Sequence, residues 1–368
     1  MDEVEELAAR ARLTASDVHN VWQAAAQFDD SVATRSNIMG ALAKKRVMPI
    51  PFSRSHLFAY MLACEPALFS DFPIKPRIVG SKHKRVSIAD EIRSGLPRSA
   101  RALVRRSESH TYLPVPQVVD KWERGKSVFG VTDLHYIGSP FDARIDTSRL
   151  NDFNLLPRGT DGFQSQDSLV ISSAGAVTDS HSDDHSGSNH SFIGTKLWLL
   201  WDTVEGFQFG LEDAERCEVC ERAAFDVGAF VAMRTSRWIL IGAGQTMFIP
   251  AHLTHKVITL KRYLGLGSFH AGLPGFVDLL RRWAQLSPLW ASRSRVPNRC
   301  SVDFITRRAI RKIESLRSAS SFERIKWGVP YLRKRLQQPD IHAKVLDING
   351  APADSANLNS FVRAARLL

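Results

Sequence analysis

The middle of the chain is built from short apolar runs bounded by turn residues, and this pattern constrains the fold more than any other feature. The runs are SLVISSAG, TKLWLLWD, RWILIGAG, TMFIPAH, HKVITL and YLGLGSF. Short apolar runs between turn residues are typical of strands. Several such strands in succession favour an all-β barrel or jelly roll over a βαβ sheet. The glycines of IGAGQT precede no helical pattern, which argues against a dinucleotide-binding loop.

The pattern changes on both sides of these strands and divides the 368-residue chain into three regions. We predict a mainly helical N-terminal region over 1–130, a β core over 131–272 and a helical C-terminal region over 273–368. An acidic segment over about 204–233 is predicted to be a helical insert in the core. The fold class is therefore α+β overall, with a mainly β core.

Helical spacing of apolar residues supports the two outer regions. In the N-terminal region, SDVHNVWQAAAQF begins with the capping residue Ser16, and RSHLFAYMLACEPALF breaks near Pro66. In the C-terminal region the helical segments are LPGFVDLLRRWAQL, SVDFITRRAIRKIESL and SFERIKWGVPYLRKRL. Trp283 and Trp290 are predicted to pack between helices or against a second subunit.

The net charge of +11 is spread over several short basic runs, AKKR, SKHKR, RSARALVRR and RRAIRK. These runs are not interleaved with aromatic residues as in single-strand nucleic-acid binders, so a solvated basic surface is the favoured interpretation. A nucleic-acid or chromatin surface stays open as the alternative. The clusters near Lys44 and Lys82 could also act as nuclear import signals.

Membrane and secretory signals are not predicted. No apolar run approaches the roughly 20 residues that span a bilayer, and the first residues, MDEVEELAARARL, are too acidic for a signal or transit peptide. Four cysteines are too few for a disulfide scaffold. We therefore expect an intracellular protein, cytoplasmic or nuclear. Cys217 and Cys220 could form a zinc half-site or a redox pair, but incidental cysteines are the favoured interpretation because no second pair lies nearby.

Metal-capable side chains are concentrated in TDSHSDDHSGSNHS, just before an apolar run. Residues i and i+2 of a strand point to the same face, so His181 and Asp183 would present an imidazole and a carboxylate side by side. A third ligand, His255, comes from the start of the later strand HKVITL. Two histidines and one carboxylate on one face of a metal form the triad of non-haem Fe(II) oxygenases.

Four neighbouring residues compete for these roles. Asp184 would point away from His181 in an extended chain, and His252 precedes the apolar strand that His255 leads into. His185 and His190 are assigned to the loop or to the surroundings of the site. Trp198 and Trp201 are assigned to the core.

Lys196 is the candidate for binding an anionic cosubstrate. An open-sided Fe(II) needs an electron donor, and a distal carboxylate of 2-oxoglutarate would pair with a buried cation. Lys196 lies in the apolar run GTKLWLL, where a lysine facing the interior would otherwise be an unpaired buried charge. The alternative is that Lys196 faces water.

Taken together, these residues resemble the JmjC family of Fe(II)- and 2-oxoglutarate-dependent oxygenases. The resemblance rests on Thr178 three residues before His181-Ser-Asp183, on Lys196 fifteen residues after His181, and on FIPAHLTHKV with His255. LVISSAGAVTDSH also resembles the asparaginyl-hydroxylase branch, and GTKLW and LGLGSFH fit the family as well. The resemblance covers less than half of the chain. It departs from the family at Asp179-Ser180, where an aromatic residue or proline often stands.

The resemblance implies a cupin-type double-stranded β-helix core in which His181, Asp183 and His255 bind iron. It also implies that Thr178 and Lys196 bind the distal carboxylate of 2-oxoglutarate. Asn189 is carried over as a residue near the cosubstrate, and Ser268 as a weaker candidate. The implied reaction consumes O₂ and 2-oxoglutarate, releases succinate and CO₂, and hydroxylates a substrate C–H bond.

The substrate is expected to be a protein or peptide side chain, with demethylation of an N-methyl-lysine as a variant of the same chemistry. A small-molecule tailoring oxygenase is the first alternative, and a catalytically inactive cupin-like interaction protein is the second. In the asparaginyl-hydroxylase branch C-terminal helices form the dimer, so the resemblance also suggests a homodimer here.

Overall fold

The computed structural model describes Leu42 and residues 44–76, 87–106, 109–161, 164–211, 219–220, 226–292 and 299–368. In these residues the chain forms a mixed α+β structure, with helices around one large, mostly antiparallel sheet. The helices are α1 (Arg54–Ala63), α2 (Ile88–Gly95), α3 (Val115–Arg124), α4 (Ser148–Asn151), α5 (Thr203–Gln208), α6 (Val227–Ala232), α7 (Phe276–Ser292), α8 (Arg299–Arg317), α9 (Ser321–Lys326), α10 (Val329–Leu336) and α11 (Ala356–Ala365). Short 3₁₀ turns lie at Asp142–Arg144, Leu273–Gly275 and Pro339–His342.

Most of the strands belong to the large sheet. The strands are β1 (Pro49–Ile50), β2 (Ala67–Phe69), β3 (Lys75–Pro76), β4 (Arg101–Arg106), β5 (Ser109–Pro114), β6 (Gly130–His135), β7 (Ile145–Asp146), β8 (Ser168–Ser172), β9 (Val177–His181), β10 (Ser186–Asp202), β11 (Val219–Cys220), β12 (Arg237–Ile241), β13 (Thr246–Ile249) and β14 (Leu253–His270). The path of the sheet runs β1-β2-β13-β10-β14-β8-β6-β4-β5 and does not close on itself, while β3 and β7 pair separately.

Two long antiparallel strands, β10 and β14, form the spine of the sheet and pair along their whole lengths. The end of β10 pairs with β12 and the start of β14 pairs with β9, which we call half-sheet A. The start of β10 pairs with β13 and the end of β14 pairs with β8, which we call half-sheet B. The two long strands therefore pass from one half-sheet to the other.

The passage between the half-sheets is marked by irregular pairing. The register of β10 with β14 shifts three times between Ser191 and Lys196, and Gly194 in this stretch has a φ of 89°. Bulges bend a strand and increase its twist without ending its pairing. The prediction that HKVITL and YLGLGSF are separate short strands was therefore wrong, because the chain continues through the bend as one strand, β14.

The half-sheets bury apolar side chains against each other. Half-sheet A contributes Trp198, Leu200, Ile239, Ile241 and Val257 to one buried cluster, and half-sheet B contributes Val170, Met247 and Ile249 to the same cluster. The two half-sheets therefore contribute to one buried apolar cluster.

Two further apolar clusters surround the sheet. Helices α1 to α3 and strands β4 to β6 form one with the outer face of half-sheet B, including Leu169, Phe248 and Leu266. Helices α7, α8, α10 and α11 form the other, which also contains Leu155, Leu156 and Ala271. The C-terminal helices therefore pack beside the end of β14.

Several predicted helices are present. The helix α1 begins after Ser53, whose side chain accepts a hydrogen bond from His56 N–H, and it ends at Cys64, two residues before Pro66. The segment SFERIKWGVPYLRKRL divides into α9 and α10 at Gly328, whose φ is 71°. The predicted helix at Ser16 lies outside the described residues.

The large sheet extends across the predicted boundary between the N-terminal region and the β core. The described part of 1–130 contains both helices and strands, and β4, β5 and β6 belong to the large sheet. In the predicted insert over 204–233, the described residues form the short helices α5 and α6 and the two-residue strand β11. The three-region division stays a prediction.

A search of the described helices finds none with the length and apolar character to cross a membrane.

We predict that Gly194→Ala destabilises the protein more than an ordinary glycine replacement in a turn. A Cβ at Gly194 would overlap the Arg262 carbonyl oxygen, and the backbone φ is already unfavourable for alanine. The combined cost should be about 3 kcal/mol. Gly210→Ala is the matched control, because Gly210 has a φ of 73° but nothing within 4 Å of the added Cβ. Urea unfolding of both variants tests this, and equal losses of unfolding free energy would contradict it.

Candidate metal centre

Two histidines of half-sheet A and one aspartate just beyond the end of β9 come together. The potential ligand atoms of His181, Asp183 and His255 all lie within 4.8 Å of one another. His255 Nε2 is 3.8 Å from Asp183 Oδ2, and the two imidazole rings are 4.1 Å apart between centroids. Within the described ranges, these residues form a group that could hold a metal ion.

Neighbouring strands supply the two histidines. His181 is the last residue of β9 and is paired with His255 near the start of β14. Asp183 follows after the end of β9, so the prediction that His181 and Asp183 lie on one strand was wrong in this detail. The Asp183 carbonyl accepts a 2.9 Å hydrogen bond from His252 N–H, which ties the turn after β9 to the turn before β14.

A bulge places Thr178 on the same side of β9 as His181. Residues three apart in a regular strand point to opposite faces. Here Thr178 and His181 pair with Val257 and His255, which are two apart on β14, so β9 carries one extra residue. Thr178 and His181 therefore both line the space between the half-sheets.

The histidine rings are oriented for metal binding through their Nε2 atoms. His181 Nδ1 lies 2.8 Å from the Asp179 carbonyl oxygen, and His255 Nδ1 lies 3.1 Å from the Leu253 carbonyl oxygen. A carbonyl can only accept, so these contacts assign the proton to Nδ1 and leave the Nε2 lone pair for a metal. Burial and the adjacent His181 also hold the pKa of His255 well below its usual value, which favours the neutral, ligating form.

A cavity of about 320 Å³ opens above the three side chains. Lys196, Thr178 and Asn189, the predicted cosubstrate-binding residues, also line it. Lys196 is 3% exposed, which excludes the alternative that it faces water. Its Nζ lies 4.6 Å from the centre of the Tyr263 ring, and the Tyr263 hydroxyl donates a hydrogen bond to Asn189 Oδ1.

Ser268 borders the cavity, but its hydroxyl donates to the buried Asp167 carboxylate. Ser268 pairs with Ser188, whose Oγ lies 2.7 Å from His270 Nε2. Strand alternation places the Ser188 and Ser268 side chains on the face of β10 and β14 opposite to Asn189. Ser268 is therefore held in a different hydrogen-bond network from the other candidates.

His185 and His190 are not part of the metal-capable group. His190 Nδ1 is 2.7 Å from Thr246 Oγ1, and His185 is buried beside Phe269. Burial lowers the pKa of both histidines to about 4, so both are neutral near pH 7.

The two candidate core tryptophans have different surroundings. Trp201 is fully buried, and its indole N–H donates to the Leu211 carbonyl, which confirms a core position. Trp198 is also buried, but it lines the cavity with its ring 5.2 Å from His255. The side chain of Trp290, and Cys217 with its possible zinc site, lie outside the described residues.

The sequence reasoning missed an ion pair that joins the two histidine strands. Lys256 Nζ lies 2.6 Å from Asp179 Oδ1, and the Lys256 side chain is 1% exposed. Asp179 is also the residue whose carbonyl orients His181, and Lys256 follows His255. The pair therefore connects β9 to β14 at the bulge. The position of Lys256 in the apolar run HKVITL could have indicated a buried lysine. Nothing in the sequence indicated that Asp179 is its partner.

We predict that Asp179→Ala destabilises the metal-free protein by about 2–4 kcal/mol, because it removes the carboxylate beside a buried ammonium. The double variant Asp179→Ala/Lys256→Met should recover much of this loss, since it also removes the Lys256 ammonium. Urea unfolding with a chelator present measures both. A single variant as stable as the parent protein would show that the pair does not hold the strands together.

We predict that Asp183→Asn weakens divalent metal binding at least about 100-fold, because the site loses its anionic ligand. Asp184→Asn is the matched control, with the same chemical change one residue further from His181. Calorimetric titration of the metal-free variants with Mn²⁺ would show the difference. Similar metal affinities in the two variants would show that Asp183 is not the carboxylate ligand.

Comparison with known proteins adds no family assignment. No protein-family model matches the chain, and no curated protein matches it at a significant level.

Proposed function

We propose that this protein is an Fe(II)- and 2-oxoglutarate-dependent oxygenase that hydroxylates a substrate C–H bond. The observation that carries the proposal is the shared cavity. His181, Asp183, His255 and the buried cation Lys196 line one space of about 320 Å³. A metal triad and a buried ammonium in one cavity match the requirements of iron and a dicarboxylate cosubstrate.

The donor set fits a non-haem iron. Two neutral imidazoles and one carboxylate are the ligands of the facial triad, which leaves further coordination positions for small ligands. When bound, iron would supply the oxidative chemistry with O₂ and 2-oxoglutarate. The chain's own residues hold the ligand rings in the ligating tautomer, through the carbonyls of Asp179 and Leu253.

Lys196 and Thr178 fit the distal carboxylate of 2-oxoglutarate. A buried ammonium is costly, and a carboxylate in the cavity would give it a charge-assisted hydrogen bond. Thr178 borders the same cavity, and its hydroxyl would donate a second hydrogen bond. Tyr263 supports this position through its ring face towards Lys196 and fixes Asn189 through its hydroxyl.

The strand arrangement supports a double-stranded β-helix of the JmjC type. Half-sheets A and B each contain four antiparallel strands, and each takes one part of β10 and one part of β14. Side chains of both half-sheets share one apolar cluster, and His181 and His255 lie on half-sheet A, with Asp183 just beyond the end of β9. In that fold a metal lies between two such facing sheets.

The cavity walls would protect the reaction from water. Trp198, Val257, Met247 and Ile249 are buried and line the cavity. Apolar walls lower the local dielectric, which strengthens the charge interactions of Lys196 and the ligands. Exclusion of water also limits side reactions of the oxidising centre.

A polypeptide side chain is the substrate class that the cavity favours. The lining includes the polar residues Arg105, Asp133, His135 and Gln166, and Arg105 makes a 2.6 Å ion pair with Asp133. Gln166 has a φ of 47°, an unusual conformation for a residue other than glycine. Donors and acceptors of this kind can bind peptide backbone, whereas a closed apolar pocket would favour a small molecule. N-methyl-lysine demethylation uses the same oxidation and is included in the proposal.

We predict that Lys196→Met raises the 2-oxoglutarate concentration needed for half-maximal turnover at least about tenfold, because the cosubstrate loses a charge-assisted partner. Lys261→Met is the matched control, because Lys261 is exposed on β14 near the bend. Succinate release in the absence of added substrate, and the visible charge-transfer band formed anaerobically with Fe(II) and 2-oxoglutarate, are the two readouts.

Three outcomes separate the candidate functions. A band that is lost in His255→Ala supports the oxygenase. If iron binds but the band does not form, the metal site is supported and 2-oxoglutarate is excluded as the cosubstrate. If iron does not bind, the cupin-like interaction protein is favoured. If Lys196→Met leaves the 2-oxoglutarate concentration for half-maximal turnover unchanged, another cation binds the distal carboxylate of 2-oxoglutarate.

A further inference from the structure

A second cavity lies on the C-terminal helices, beside the basic run RRAIRK. It has a volume of about 360 Å³ and is lined mainly by α8, by Trp327 and by the chain at Asn154 and Leu155. No residue lines both this cavity and the candidate metal centre. We call it the α8 cavity.

The α8 cavity is positively charged. Arg308, Arg311 and Lys312 line it, together with the hydroxyl-bearing Ser315, and no lining residue is acidic. These four residues are spaced by three and four along α8, so their side chains share one face of the helix. Like charges at this spacing repel each other. A bound anion would relieve that repulsion.

Two of the cations are already held in place. Arg308 Nε donates a 2.8 Å hydrogen bond to the Leu155 carbonyl, and Lys312 Nζ lies 4.0 Å from the centre of the Trp327 ring. Fixed donors lose less side-chain entropy when they bind a ligand. The face of α8 next to these cations is anchored in the C-terminal apolar cluster through Ile305, Ala309 and Ile313. The cavity is therefore preformed on a rigid helix.

We propose that the α8 cavity binds a small molecule through its phosphate group. Arginine forks match phosphate oxygens geometrically, and three cations suit a dianion better than a single carboxylate. The cavity volume falls in the range of small-molecule sites, roughly 300–1,000 Å³, which leaves space beyond the phosphate for an organic group next to Trp327. This site is independent of the proposed oxygenase function.

The test is calorimetric titration of the full chain with adenosine monophosphate, inorganic phosphate and adenosine. Both phosphate-bearing probes should bind saturably at one site, and adenosine should not. Tighter binding of adenosine monophosphate would identify an organic phosphate as the ligand, and equal binding would identify phosphate itself. Arg311→Gln should weaken either probe about tenfold, as expected for a loss of about 1.4 kcal/mol.

Arg307→Gln is the matched control. Arg307 is exposed on the same helix, and its replacement removes the same charge outside the cavity. Arg311 is also exposed, so neither change should affect folding, which thermal unfolding would check. Equal weakening in the two variants, or no saturable binding at millimolar probe, would overturn the proposal. Binding of a short RNA but of neither phosphate probe would also overturn it.

Discussion

The pairing of β9 with β14 is the interaction on which the candidate centre depends. His181 and His255 are cross-strand partners, and each Nδ1 is held by a carbonyl two residues earlier on its own strand. The strand pairing therefore sets the separation of the rings, and the two carbonyls set their tautomers. The extra residue in β9 then brings Thr178 to the same side, so a single bulge serves both the metal ligands and the neighbouring polar wall.

The same region contains two buried lysines with different surroundings. Lys256 is neutralised within the chain by Asp179, which fixes the strands that carry the histidines. Lys196 lies against the Tyr263 ring and borders the cavity, where an anionic ligand can reach it. A buried ammonium that borders a cavity is suited to binding an anionic group there. This difference supports separate roles for two lysines on adjacent strands.

The basic side chains of the described residues lie in two kinds of surroundings. Much of it lies in exposed or paired arginines, such as Arg93 with Asp90, Asp120 and Glu123. On α8, by contrast, three cations border a concave surface with no acidic residue in its lining. Shape therefore distinguishes a candidate anion site from a solvated basic surface, although the two look alike as runs of arginine and lysine.

Three features could be predicted from the amino-acid sequence: the residue types of the site, the mainly β character of the middle region and a helix that ends before Pro66. These features depend on local spacing, capping and chemical type, which are written along the chain. Three other features could be seen only in the folded chain: Asp183 joins the histidines from beyond the end of β9, Ser268 donates to Asp167, and Asp179 pairs with Lys256. The folded chain also shows that the predicted strands at His255 and Tyr263 are one bent strand. Bulges and long-range ion pairs depend on which distant residues meet, and that information lies in the pairing of strands and not in any single segment.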